Sequence, residues 1–432
     1  MRAVLKLVEW TPRTPIFYGW VVLGMAALGT YAATGVAQVV IGGIQNLIFE
    51  DLGWDRSTVA FAVTAGTWMS GLLAPIFGRL VDQHGPRRLM PPAALIAGVS
   101  FIALAGIREV WHFYAAYMIA RAIANPALVG VVPRTVAVNF FHRKRNLAIG
   151  LVSTFRPVSG AINIQIISVI AAASSWRVAY RLLGVFSILL VLPLFLIMRK
   201  RPEDIGLRPD GDESPAPIRA ATSTARGRDR PSSSDDGSWS AGEALATSAF
   251  WLIVLAEMLT ILTSSTVGFQ MVPFLVDSGI SQPIAVIALS LSSMLGALVN
   301  PFWGVLADRY QPRVLATFAT AATLITAACF IPTGGGTGGF VVAIVWGIAS
   351  GGLNVLGSMM LAQYFGRASY GTITGLTGPF QMAFLGLGPT MGALLFRATD
   401  GYTVIWYYAL GAYAVATVLI FSARRPMKKR RE

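Results

Sequence analysis

The chain has 432 residues, 55% hydrophobic and 12% charged, with a mean hydropathy of +0.63. Soluble domains carry roughly 25% charged residues, so a soluble fold is excluded, and at about 20 residues per spanning helix the length accommodates about twelve spans plus loops. The net charge of +14 does not mark a nucleic-acid binder, because the basic residues are concentrated in the connections of an apolar chain, and the single cysteine, Cys329, excludes an intrachain disulfide.

In chain order, residues 1–15 mix Arg2, Lys6, Glu9 and Arg13 and lack a small-residue cleavage site, so the first span reads as retained rather than as a signal peptide. That span is expected over 16–48, longer than a crossing needs. Tyr31, Gly35, Gln38, Gly42 and Gln45 recur along it at helical spacing, forming one polar and small face that serves either helix packing or a cavity wall. Further helices are expected from Ser57 to Leu80, from Leu89 to Ile107, from Trp111 to Phe141, from the basic loop to Ala173 and from Trp176 to Met198. Residues 199–239 then lose apolar periodicity and become rich in Ser, Thr, Pro, Gly, Arg and Asp, the composition of a mostly disordered linker. Ser240 and Glu243 form a capping-box pattern for a short helix. The remaining spans are expected over 249–275, 283–303, a ninth ending before the glycine run at 334–339, then 340–363, 370–396 and 402–422. The glycine run lacks the Gly-Lys-Ser/Thr ending of a phosphate loop and reads as a flexible turn.

This order puts Arg56, Arg108, Arg177, Arg181 and Arg397 on one side and 26 Lys and Arg residues on the other. By the positive-inside rule both termini are cytoplasmic in a multi-pass protein of the plasma membrane. The basic tail fits topology and contact with anionic lipid, so membrane lipids are expected partners and nucleic acid is not.

A repeat divides the chain. Gly78, Asp82, Pro86 and Arg87 recur as Gly304, Asp308, Pro312 and Arg313, each 226 positions later. The glycines permit close helix approach, and each aspartate is placed to cap the next helix or to pair with an arginine. A second echo relates Asn139-Phe140-Phe141 and Gly150 to Gln363-Tyr364-Phe365 and Gly375. The fold expected is an all-α membrane protein of twelve transmembrane helices in two pseudo-symmetric six-helix halves around a central cavity. Its halves cover 1–198 and 243–432, joined by a cytoplasmic linker over 199–242.

The doubled Gly-x-x-x-Asp-x-x-x-Pro-Arg loop resembles the signature of the major facilitator superfamily, in the loops after helices 2 and 8. The run from Arg201 to Gly211, with Ser248 to Trp251 and Val272 to Gly279, resembles the bacterial monocarboxylate and oxalate–formate branch. The resemblance implies alternating access, with Gly78, Asp82, Arg87, Gly304, Asp308 and Arg313 as gating loops. It departs at one point. Branch members typically carry an Arg in helix 8 where this chain has Asn300, followed by Pro301, so the usual carboxylate anchor is missing.

Four ionisable residues fall inside the expected spans: Arg121, Arg134, Arg156 and Glu257. A charge at the centre of a membrane helix costs about 2.5–3.5 kcal/mol on insertion scales, so each needs a partner, water or a function. Arg156 lies near mid-depth with Ser153 and Asn163 on its flanks, and its planar fork suits a carboxylate. Its structural alternative is an ion pair with Glu257. Arg121 matches a helix 4 arginine of the family, implied to serve coupling or helix positioning, and is also a candidate for substrate contact. Arg134 is within snorkelling reach of the surface, which favours a structural role. Glu257 shares a helical stripe with Thr260, Ser264 and Gly268 and is either a proton carrier or a counter-ion for the arginines. Aligning Gly150 with Gly375 sets Arg156 opposite Gln381. The expected substrate-binding set is therefore Arg156, Arg121, Gln38, Tyr31, Asn300 and Gln381, with Glu257 as the coupling residue.

The function expected is secondary transport of a small organic anion, a carboxylate, by proton symport or anion exchange, from a monomer without cofactor or metal. Export of a larger amphipathic compound is the alternative in the same class, and a membrane sensor on a transporter scaffold the alternative outside it. His84, His112 and His142 fall at membrane edges and no catalytic grouping appears, so an enzyme is not expected.

Overall fold

The computed structural model describes residues 16–37, 40, 48, 51–54, 56–211, 239–333, 336–399 and 401–427. Among these, twelve helices are long and apolar enough to cross a membrane. They are α1 (Tyr18–Val36), α2 (Phe61–His84), α3 (Pro86–Ala105), α4 (Val110–Phe140), α5 (Arg145–Ala171), α6 (Trp176–Ile197), α7 (Ser248–Asp277), α8 (Ile284–Arg309), α9 (Pro312–Pro332), α10 (Gly336–Phe365), α11 (Tyr370–Thr399) and α12 (Thr403–Ser422). Helices satisfy every backbone group within one segment, the condition for crossing lipid.

The 226-residue echo is structural. Arg87 lies over the Phe195 ring of α6 at 4.4 Å and Arg313 over the Phe421 ring of α12 at 5.8 Å, and both arginine and ring recur at that offset (313 − 87 and 421 − 195). The crossings between halves follow the same rule. Gly150 of α5 meets the backbone of Asn300 and Pro301 on α8, while Gly375 of α11 meets that of Ala74 and Pro75 on α2. Helices α2 with α11 and α5 with α8 thus join the two halves.

Several expected boundaries move. The helix carrying Gly78 continues through Asp82 to His84, and α8 runs through Gly304 and Asp308 to Arg309. The repeated motif therefore forms the last helical turns rather than loops. The first helix ends at Val36, where Ala37 turns extended (φ −66°, ψ 146°). Gln38, Gly42 and Gln45 lie outside the described residues. Of the glycine run, 336–339 belongs to α10. Ser240 Oγ accepts from Glu243 N–H at 3.2 Å and Glu243 Oε2 from Ser240 N–H at 2.9 Å, the reciprocal cap expected. Residues 199–211, assigned from composition to the disordered stretch, are packed on the bundle with helical turns over Pro202–Ile205 and Pro209–Gly211. The remainder of that stretch, 212–238, lies outside the described residues.

Candidate functional site

The repeated motif packs at one end of the bundle, and neither aspartate caps the helix that follows it. Asp82 accepts from Gly371 N–H (3.1 Å), Thr372 N–H (2.6 Å) and Thr372 Oγ1 (2.7 Å) at the start of α11, in the other half. Asp308 accepts from Asn146 N–H (3.0 Å) and Leu147 N–H (3.3 Å) at the start of α5. The first N–H groups of a helix have no partner within it and carry the positive end of its dipole, so each carboxylate caps the opposite half. The glycines allow the approach. A Cβ on Gly78 would fall 2.1 Å from the Gly371 carbonyl oxygen, and one on Gly304 2.6 Å from that of Asn146. Arg87 and Arg313 take no part in this capping and stack on α6 and α12 instead.

Deeper in the bundle, α1 stops at Val36, and carbonyl groups freed by a broken helix need other donors. Tyr117 Oη donates to Val36 O at 3.0 Å, Arg121 Nη1 reaches the same oxygen at 3.4 Å and Tyr180 Oη donates to Gly35 O at 3.0 Å. Arg121 is 4% exposed and its Nε has no partner. Its cation faces the negative end of α1. Tyr31 is half-buried, its ring edge-on to Phe186 at 5.4 Å and its carbonyl accepting from Asn163 Nδ2 at 2.6 Å.

Arg156 stands on the same face of α5 as Asn163, two turns away, and that face looks toward α1, since Asn163 Nδ2 also donates to Thr34 Oγ1 at 2.7 Å. Arg156 is exposed and has no hydrogen-bond or ion-pair partner among the described residues. Exposure on a face turned toward α1 places the guanidinium in open space inside the bundle rather than in lipid. Arg121 and Arg134 are both near enough for their charges to act on it.

Arg134 does not snorkel. The Asn125-Pro126 pair opens a π turn over Asn125–Val129, where Gly130 N–H bonds Asn125 O at 2.8 Å, five residues back, and Pro126 leaves the carbonyl one turn before it without its usual donor. The extra residue rotates the rest of α4, and Arg134 Nη1 reaches Ser358 Oγ of α10, across the halves, at 3.4 Å. Its Nε is buried without a partner. The Asn-Pro pair was the available sequence signal.

Glu257 is 7% exposed and forms no ion pair with an arginine among the described residues. Gln381 Nε2 donates to its Oε2 at 3.2 Å and to Thr377 Oγ1 at 3.1 Å. Arg134 is near enough to act on Glu257 electrostatically. Of the expected set, Glu257 and Gln381 touch, Arg121 and Arg156 are electrostatic neighbours and Gln38 lies outside the described residues. Asn300 is buried at the α5–α8 crossing with its Oδ1 unpartnered.

The family model of the Major Facilitator Superfamily matches residues 20–389 and 255–432. The chain belongs to the major facilitator superfamily. This superfamily protein is 24% identical to human Monocarboxylate transporter 11 over 413 residues, 89% of this chain and 79% of that one. It is 25% identical over 167 residues to the probable sulfoacetate transporter SauU of Cupriavidus necator, 39% of this chain and 38% of that one. The chain spans 31–38% of the length of three of the curated relatives it matches, SauU among them. Among solved structures, the superfamily transporter FucP in its outward conformation superposes with a TM-score of 0.68, at 13% identity, over 94% of this chain and 99% of that one. The superfamily and its fold are those of transporters, and this member is a multi-pass membrane protein that resembles the monocarboxylate branch.

Proposed function

We propose that this protein moves a small organic anion, a carboxylate, across the plasma membrane by alternating access, with Arg156 as the anchor. One observation carries the reading: a guanidinium in open space inside the bundle, with no acidic partner, beside two further arginines. A small organic anion supplies what the protein withholds, since an unpaired cation at this depth is costly unless it meets a counter-charge. The relatives named for monocarboxylates and sulfoacetate are compatible with it. The distribution of 26 basic residues against five supports a cytoplasmic location for both termini and for the end of the bundle that carries the repeated motif, which serves as the gate between six-helix halves over 1–198 and 243–432.

The test is thermal stabilisation of the purified protein by a panel of small carboxylates and sulfonates, followed by uptake of each hit into proteoliposomes. A ligand that binds only the folded state raises its melting temperature with occupancy. A hit that is also transported supports the reading. Silence across the panel overturns it and favours export of a larger amphipathic compound.

Glu257 is the proposed coupling residue. A buried carboxyl held by a neutral amide, with Arg134 nearby, alternates between charged and neutral at little structural cost. Glu257→Gln keeps the hydrogen bond to Gln381 while removing the exchangeable proton. Uptake driven by a pH gradient should then fall to the background level, while exchange of labelled for unlabelled substrate persists. Full gradient-driven uptake by Glu257→Gln would remove the proton-carrier role.

A further inference from the structure

We propose that residues 200–211, which leave α6 and cross the gate end, form a latch on the gate, with Asp210 and Glu203 as its positioning residues. The proposal rests on the alternating-access reading and adds residues that the repeated motif does not contain. The segment touches the lead-in to both helix starts that the gate aspartates cap. At one end, Lys200 Nζ donates to Gln83 O at 3.0 Å, next to Asp82, and Asn139 Nδ2 donates to Lys200 O at 3.3 Å. In the middle, Glu203 Oε1 pairs with Arg367 Nη2 at 2.9 Å. Arg367 belongs to the other half and lies four residues before Gly371, whose N–H Asp82 accepts. Its Nη1 also reaches Asn139 O at 3.5 Å.

At the far end, Asp210 accepts from three successive backbone N–H groups, His142 (2.9 Å), Arg143 (2.6 Å) and Lys144 (3.3 Å). Only Arg145 separates these from Asn146 and Leu147, which Asp308 holds. Two carboxylates from different parts of the chain thus take five N–H groups at the entry to α5. Asp210 is the one non-glycine residue with positive φ (60°) among the described residues. Glycine would adopt that conformation without strain, so the position keeps a side chain for what its carboxylate does.

Asp210 and Asp308 are close enough to repel each other, which opposes the latch. Arg145 lies within electrostatic reach of both and donates from Nη1 to Ala362 O of α10 at 3.1 Å. Directed bonds from three N–H groups outweigh a screened repulsion between carboxylates of this exposure. The net effect is to hold the start of α5 where Asp308 meets it, and the start of α11 where Asp82 meets it, so that the closed gate persists longer.

The experiment measures distances between spin labels on cysteines replacing His84 and Tyr310, both exposed and in opposite halves, with Cys329 replaced by Ser. Asp210→Asn should shift the ratio of open to closed gate by about 3- to 10-fold toward open, and Glu203→Gln by about 2- to 5-fold, as expected for bonds of this exposure. The exchanged pair Glu203→Arg with Arg367→Glu should restore the parent ratio, an outcome that a merely structural role for the segment does not produce. If the parent shows two populations and Asp210→Asn and Glu203→Gln leave their ratio unchanged, the latch is overturned and alternating access stands. A parent with one population under every pH and ligand tried overturns both.

Discussion

Arg156→Gln should abolish anion-dependent stabilisation while leaving the empty protein as stable as the parent or more so. The guanidinium makes no bond to protein among the described residues and is repelled by Arg121 and Arg134, so its removal costs the fold nothing and relieves like-charge repulsion. With a carboxylate bound, the same change deletes a charge-assisted hydrogen bond contributing about 1.5–3 kcal/mol, which weakens binding by about 10- to 150-fold. Arg156→Lys should recover only part of this, because an ammonium restores charge but not the planar fork. The measurement is a melting titration with each hit against the parent, Gln and Lys proteins. Equal affinity in all three would move the anion site away from α5. A Gln protein that melts well below the empty parent would assign Arg156 a structural bond instead.

The second large effect is expected from Gly78→Ala. The added Cβ would sit 2.1 Å from the carbonyl oxygen of Gly371 and 2.8 Å from its carbon, backbone atoms that cannot step aside without separating α2 from α11. Separation takes the Asp82 carboxylate off Gly371 and Thr372. Losing even one such bond, about 1.5–3 kcal/mol, changes the balance of two states by about 10- to 150-fold. Within α2 itself alanine is the better helix former by about 0.5–1 kcal/mol, so the effect is conformational rather than unfolding. Uptake should fall to background, and a cysteine at Thr374, now buried behind the gate, should become reactive to polar reagents from the gate side. Gly304→Ala should behave alike on the α5–α8 contact. Normal uptake together with an unreactive Thr374→Cys would show that the gate closes without this contact.

Both predictions come from residues visible in the sequence, and the division of labour is physical. Twelve spans, the duplication and the skewed basic residues were legible because hydropathy and charge are properties of each segment alone: lipid judges every helix by its own side chains. Arg156 and Glu257 were legible for the same reason, since a charge inside an apolar run is anomalous whatever surrounds it. The partners were not. Asp82 reaches Thr372 across 290 positions, and whether an aspartate caps its own following helix or one in the other half depends on how the halves dock. The break of α1 after Val36 leaves carbonyl groups that Tyr117, Tyr180 and Arg121 satisfy, donors that lie on two other helices. Arg134 turned inward because a π turn at Pro126 rotated its face, which no regular helical count reveals. Asp210 looked like linker because its stretch has no apolar periodicity, yet three N–H groups of a distant loop fix it in place. Which segments enter the membrane, and where charge is out of place, can be read from the amino-acid order alone. Which charges meet depends on packing, because an ion pair or a cap is a property of two segments and of the contact that brings them together.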